Sequence, residues 1–259
     1  MRIDGSKILL TGASTGIGAT LAGLLHARGA HLVLVSRKTH TYELPGAHWI
    51  AADLTDAGQR NTAFAEAAAK LGGIDILINN AGVGAYVSTR ETDEDTWRHL
   101  YELNLHAPIH LARLALPGML AQRRGAIVNV CSIAALVPLP WFSLYSTTKA
   151  ALLSFTHGLR MELDGSGVET VAVCPGYVQT PFQSHVISGK PPLMLQRTKA
   201  FAISPEVCAQ AIVRGIESGK RTVVTPLSGH FLHWAYFLFP KLIDSVFARY
   251  NRNLERSAV

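Results

Sequence analysis

Apolar positions along this chain fall into short unbroken runs separated by longer stretches with helical spacing. Lys7–Leu10, His31–Val35, His48–Ala51 and Ile74–Ile78 are the first runs, and Ala126–Val130 and Val168–Val173 follow. Val223-Val224 is the candidate for a last one. Between them, helical spacing predicts Gly16–Arg28, Ala57–Leu71, Asp93–Leu105, Pro108–Gln122 and a long helix from Ser143 to Leu163. A strand without polar alternates is buried on both faces, as happens when helices cover both sides of a parallel sheet. The pattern therefore predicts an α/β fold of three layers around a doubly wound parallel sheet.

Two segments break the rhythm. Only Lys38–Ala47, interrupted by Pro45-Gly46, joins the second and third strands, which leaves room for a very short helix at most. Gly176–Ala202 contains Gly189, Pro191 and Pro192 and reads as a mobile loop or lid. Ser204-Pro205-Glu206 then restarts a helix, with serine as N-cap and proline at its first position. No repeat or linker is visible. One domain is expected, residues 1–226, with residues 227–259 as an apolar helical extension of it.

Composition narrows the function classes. The 259 residues are 48% hydrophobic and 16% charged, which excludes disorder. The net charge of +6 comes from cations scattered in ones and twos, such as Arg37-Lys38, Arg123-Arg124 and Lys220-Arg221. Without a basic stripe, no nucleic-acid partner is expected, and a polyanionic cofactor would account for part of the excess. Cys131, Cys174 and Cys208 are far apart and form no C-x-x-C, so neither a zinc site nor a disulfide framework is indicated. Free thiols, the lack of a signal-peptide pattern and the lack of any apolar stretch near the ~20 residues of a membrane span make cytoplasm the expected compartment.

The segment Thr11-Gly12-Ala13-Ser14-Thr15-Gly16-Ile17-Gly18 joins the first strand to the first helix. Glycines let backbone approach a pyrophosphate, and the helix start offers unpaired N–H groups. An ordinary tight turn would also fit. Its place after the first strand favours a dinucleotide held by Gly12, Ser14, Thr15, Gly16, Ile17 and Gly18. Ser36-Arg37-Lys38 follows the second strand where a carboxylate would favour NAD(H), so Arg37 points to NADP(H), with NAD(H) still possible. A solvated surface arginine is the plainer alternative. Asp53, with Leu54 beside it, is placed to meet the adenine amino group; Asp53 could equally cap the next helix.

Tyr145-Ser146-Thr147-Thr148-Lys149 puts a phenol and an amine one helical turn apart, and Ser132 closes a strand thirteen residues earlier. With the glycine turn, Asn79-Asn80-Ala81-Gly82, Asn104, Pro175-Gly176 and Thr180, the chain resembles the short-chain dehydrogenase/reductase family from about residue 6 to 226. The resemblance implies a Rossmann-type single domain and an oxidoreductase acting on CH–OH/C=O. It implies Tyr145 as general acid or base, with Lys149 lowering its pKa and holding the nicotinamide ribose. Ser132 would stabilise the substrate oxygen, and Asn104 would hold a water beside Lys149. Asn80, Ala81 and Gly82 would line the adenosine ribose; Pro175, Gly176, Val178 and Thr180 would fix the carboxamide. A non-catalytic dinucleotide-binding sensor or scaffold remains an alternative, as does a dehydratase or epimerase. Cys131 reads as a small buried hydrophobe.

Ala134–Phe142 and the loop 181–201, with Phe182, Val186, Ile187, Leu193, Met194 and Leu195, are the expected substrate walls. Their apolar character favours a hydrophobic ketone, aldehyde or secondary alcohol. His230–Tyr250 is too rich in Phe, Trp and Leu for a free tail. Three readings stay open: a subunit contact in a homo-oligomer (dimer or tetramer), a cover over the pocket, or a membrane-surface helix flanked by Lys241, Arg249 and Arg252.

Overall fold

The computed structural model describes residues 1–189 and 202–257, with side chains through Arg249. Its strands are β1 (Lys7–Thr11), β2 (His31–Ser36), β3 (His48–Ala51), β4 (Ile76–Asn79), β5 (Gly125–Val130), β6 (Val168–Pro175) and β7 (Thr222–Thr225). They form one sheet in the order β3-β2-β1-β4-β5-β6-β7, every pair parallel. The helices are α1 (Gly16–His26), α2 (Ala57–Leu71), α3 (Glu94–Tyr101), α4 (Ala107–Ala121), α5 (Ser143–Glu162), α6 (Pro205–Glu217), α7 (Ser228–Leu238) and α8 (Pro240–Ser257).

Strand alternation divides the core into two layers. Ile8 and Leu10 of β1 pack with Leu21 and Leu25 of α1 and Ile212 and Ile216 of α6. Leu9, between them, faces the other way, toward Ala63 of α2 and Leu111 and Ala115 of α4. Both faces of each central strand are thus buried, which accounts for the unbroken apolar runs. Asp56 caps α2 by accepting from Gln59 N at 2.7 Å, and Ser204 caps α6 on Val207 N. The strand order reverses between β1 and β4, so their carboxyl ends diverge into the crevice where ligands settle in open α/β sheets.

The irregular segments have local causes. No helix forms between β2 and β3, within the bound set by the short segment. Tyr42 closes that segment instead, donating to Ala13 O at 2.9 Å and meeting the Trp49 ring edge-on at 5.2 Å. The two helices expected over residues 93–122 run on through a π turn, Glu102–His106, which widens the helix around Asn104. Within the segment that reads as a lid, residues 190–201 lie outside the described residues. Residues 178–189 are tied down: Gln179 N donates to Ile203 O at 2.9 Å, and Tyr86 N to Ser188 O at 2.9 Å. No helix among the described residues is long and apolar enough to cross a membrane.

Candidate active site

A cavity of about 890 Å³ opens at the carboxyl edge of the sheet. All the residues predicted to catalyse or to hold the cofactor line it, except the fully buried Asn104. One end is the glycine turn. Gly12 adopts φ 66°, and a Cβ there would meet Ala81 Cα at 2.7 Å; one on Gly18 would lie 2.1 Å from Gly12 O. Any side chain at either position would fill the cradle or break it. Thr15 precedes α1 without a side-chain cap, and the first turn of α1 has no acidic residue. Its N–H groups therefore remain available to an anion, and the residues present suit a pyrophosphate.

Arg37, Lys38 and Asp53 line the same end. The Asp53 carboxylate accepts from Thr55 N at 2.9 Å and from Thr55 Oγ1 at 2.8 Å. Partial burial opposes its charge, but the Thr55 bonds and the Arg37 guanidinium outweigh that and lower its pKa. The alternative reading of Asp53 as a helix cap is corrected here: Asp56 fills that role.

The other end holds the triad of polar side chains. Helix α5 starts at Ser143, so Tyr145 and Lys149 fall one turn apart on its buried face. Lys149 Nζ donates to Val130 O at 2.9 Å and lies 5.8 Å from the Tyr145 ring centroid. Ser132 stands two residues past β5 and caps a short 3₁₀ turn, Ile133–Ala135, its Oγ accepting from Ala134 N at 3.1 Å. The same hydroxyl hydrogen-bonds the Tyr145 phenol. Phenol, ammonium and hydroxyl thus converge.

Asn104 is fully buried close to Lys149. Its Oδ1 accepts from Val83 N and its Nδ2 donates to Val83 O, both at 2.9 Å, with Thr148 Oγ1 at 3.3 Å. The amide braces the segment after β4. A Cβ on Gly82 would lie 3.2 Å from both Asn104 Oδ1 and Lys149 Nζ, so glycine leaves the two groups free to approach. The buried Arg60 anchors the π turn from outside, bonding Leu54 O at 2.8 Å and Glu102 at 3.2 Å.

Comparison with known proteins gives the same reading. The short chain dehydrogenase family model matches residues 6–190. The chain belongs to the short-chain dehydrogenase/reductase family. It is 33% identical to a ketoacyl reductase of Nostoc over 86% of this chain and 79% of that one. A short-chain dehydrogenase of Burkholderia cenocepacia, solved in complex with NADP, is 28% identical with TM-score 0.81 over 95% of this chain and 99% of the other. A relative from Burkholderia phymatum, solved with NAD, shares the fold at 22% identity and TM-score 0.84 over 93% and 96% of the two chains. Membership makes the protein a dehydrogenase/reductase of the CH–OH/C=O class.

Burial sets the charge states of two groups in this short-chain dehydrogenase/reductase. It pushes the Tyr145 phenol well above its usual range, and the Ser132 hydrogen bond recovers only part. Burial also pulls the Lys149 ammonium down to about 8. Both groups are shut away from water, and desolvation disfavours the charged form of each. Burial likewise raises the Cys131 thiol, in keeping with a packing residue.

Sequence reasoning missed Tyr86, which completes an aromatic wall around the phenol. Tyr86 stacks on Phe142 at 4.4 Å, Phe142 on Tyr145 at 4.1 Å, and Phe182 meets Tyr145 edge-on at 5.8 Å. The Tyr86 hydroxyl bonds Gln183, which with His185 adds polar atoms to the lining. Position after β4 was the available signal for Tyr86. Ala134, Leu139, Phe142, Phe182 and Val186 line the cavity as expected, whereas Ile187 does not. Leu193, Met194 and Leu195 lie outside the described residues. No described residue beyond Val186 lines the cavity, so the reading of the C-terminal segment as its cover gains nothing from the structure.

Proposed function

We propose that the protein is an NADP(H)-dependent oxidoreductase that interconverts a hydrophobic ketone or aldehyde with its alcohol. One observation carries this reading. A single cavity runs from the glycine turn and Arg37 to the Tyr145–Ser132–Lys149 cluster and ends in an apolar, largely aromatic wall. The dinucleotide, when bound, supplies or accepts the hydride. Gly12 to Gly18 would hold its pyrophosphate, Arg37 its 2′-phosphate, and Asp53 with Leu54 its adenine. Asn80, Ala81 and Gly82 would line the adenosine ribose, and Pro175, Gly176, Val178 and Thr180 the nicotinamide end.

The protein's own groups manage the proton and the developing charge. Ser132 hydrogen-bonds the carbonyl oxygen, and the Tyr145 phenol gives that oxygen its proton. Lys149 orients the nicotinamide ribose and supplies positive charge as the phenolate forms. Asn104 acts as a positioning residue through Val83. The test of substrate class is NADPH oxidation across a panel of carbonyl compounds. Aliphatic and aromatic ketones should exceed hydrophilic sugars in kcat/KM by about 30-fold, since burying a single apolar side-chain-sized group is worth about 2 kcal/mol. Equal rates for the two classes contradict the hydrophobic assignment.

A pH dependence follows from burial. The raised phenol stays protonated, and so competent as an acid, throughout the neutral range. Lys149, lowered to about 8, keeps its charge below that pH and loses it above. Reduction should therefore be level up to about pH 8 and then fall, about tenfold per pH unit. A kcat/KM profile for ketone reduction that stays flat to about pH 10 would exclude the role given to the ammonium.

A further inference from the structure

Helices α7 and α8 form a hairpin that leaves the body after β7. Phe231, Trp234, Phe237, Leu238, Phe239 and Leu242 on it are between 57% and 77% exposed. The turn itself reads Leu238-Phe239-Pro240-Lys241-Leu242, where hairpin tips in water carry small polar residues. Helix α7 touches β7, and α8 packs chiefly on α7, so the outer faces of both helices stand clear of the core.

What covers such a face is decided by its charges. Lys241 is exposed within the apolar ridge, and neither Lys241 nor Arg249 has an ion-pair partner among the described residues. In the core of a contact with a second copy, an ammonium would be desolvated, and lysine is depleted in such interface cores. At a bilayer surface the same side chain extends to lipid phosphates while its stem lies along the acyl boundary. From Pro240 onward the sequence has four cations, Lys241, Arg249, Arg252 and Arg256, against Asp244 and Glu255. The excess is positive, and the aromatic content suits the headgroup zone.

We propose that the α7–α8 hairpin docks the protein on the surface of an anionic phospholipid bilayer, its aromatic ridge in the headgroup–acyl boundary and its lysine and arginines on lipid phosphates. The hairpin lies on the surface and does not span it. The first turn of α7 sits behind the cavity wall: a Cβ on Gly229 would lie 3.1 Å from Ile133 Cδ1, and Ile133 lines the cavity. Docking would thus hold the cavity about one helix length, ~16 Å, from the lipid.

The test is flotation of the full-length protein with vesicles of phosphatidylcholine mixed with phosphatidylglycerol, and with pure phosphatidylcholine, alongside light scattering in buffer. The protein should float with the mixed vesicles and lose this at high salt. Phe231→Ser combined with Phe237→Ser and Leu242→Ser should reduce partitioning about 100-fold. Lys241→Glu with Arg249→Glu should reduce it about tenfold or more on anionic lipid only. Unchanged thermal melting and NADPH affinity would show that these exposed changes leave the fold and cofactor site intact. Three outcomes overturn the proposal: no flotation with either vesicle, equal flotation with both, or serine variants that turn a dimer into a monomer while flotation is absent or unaltered. Because no activity is measured, failure here leaves the oxidoreductase reading standing.

Discussion

Tyr145→Phe is expected to lower kcat for carbonyl reduction about 1,000-fold, the range lost when a positioned general acid is removed. The change deletes one hydroxyl. The ring should keep its place, because Phe142 stacks on it at 4.1 Å and Phe182 meets its edge at 5.8 Å. NADPH affinity should therefore stay within about threefold, since isolated contact changes near a bound ligand are worth well under 1 kcal/mol when no charge is involved. Stopped-flow fluorescence gives the affinity and steady-state absorbance the turnover. Activity within about tenfold of the parent would mean that another group supplies the proton.

Arg37→Ser carries the second large effect, on cofactor choice. A guanidinium bonded to a phosphate contributes about 1.5–3 kcal/mol, so KM for NADPH should rise about 10- to 150-fold. NADH should be affected little. The Asp53 carboxylate, whose charge is favoured by Thr55 and by Arg37, would remain nearby and repel a 2′-phosphate. The ratio of kcat/KM for NADPH over NADH should accordingly invert. A ratio unchanged by the substitution, or one already near unity in the parent, would remove Arg37 from the phosphate site.

The fold was legible wherever local pattern and burial agree. His48–Ala51 and Ala57–Leu71 appear with the bounds that spacing predicted. The π turn at Asn104 was not legible, because it depends on Val83, a residue 21 positions away that the side chain bonds through both its N–H and C=O. The site was largely readable, since the glycine turn, Arg37 and Ser132 each lie within two residues of a strand end, and Tyr145 and Lys149 share one helix turn. The place of Tyr86 in the aromatic wall was not. Tyr86 reaches Gln183 only because residues 187–189 run alongside 84–86, with Ile187 N donating to Gly84 O at 2.9 Å. Gly189, at φ 74°, allows that approach: a Cβ there would lie 1.8 Å from Tyr86 O. Charge states were also beyond pattern reading. Spacing gives the proximity of Lys149 to Tyr145, but not the enclosure by Phe142 and Phe182 that buries the phenol and raises its pKa.

The most direct measurement is hydride tracing. NADPH deuterated at the nicotinamide C4 is incubated with the protein and a hydrophobic ketone, and the product is read by mass spectrometry. The alcohol should carry one deuterium on its carbinol carbon, and Tyr145→Phe should form almost none of it. Saturable NADPH binding with no labelled alcohol from any carbonyl compound would contradict the account and leave a dinucleotide-binding protein without turnover.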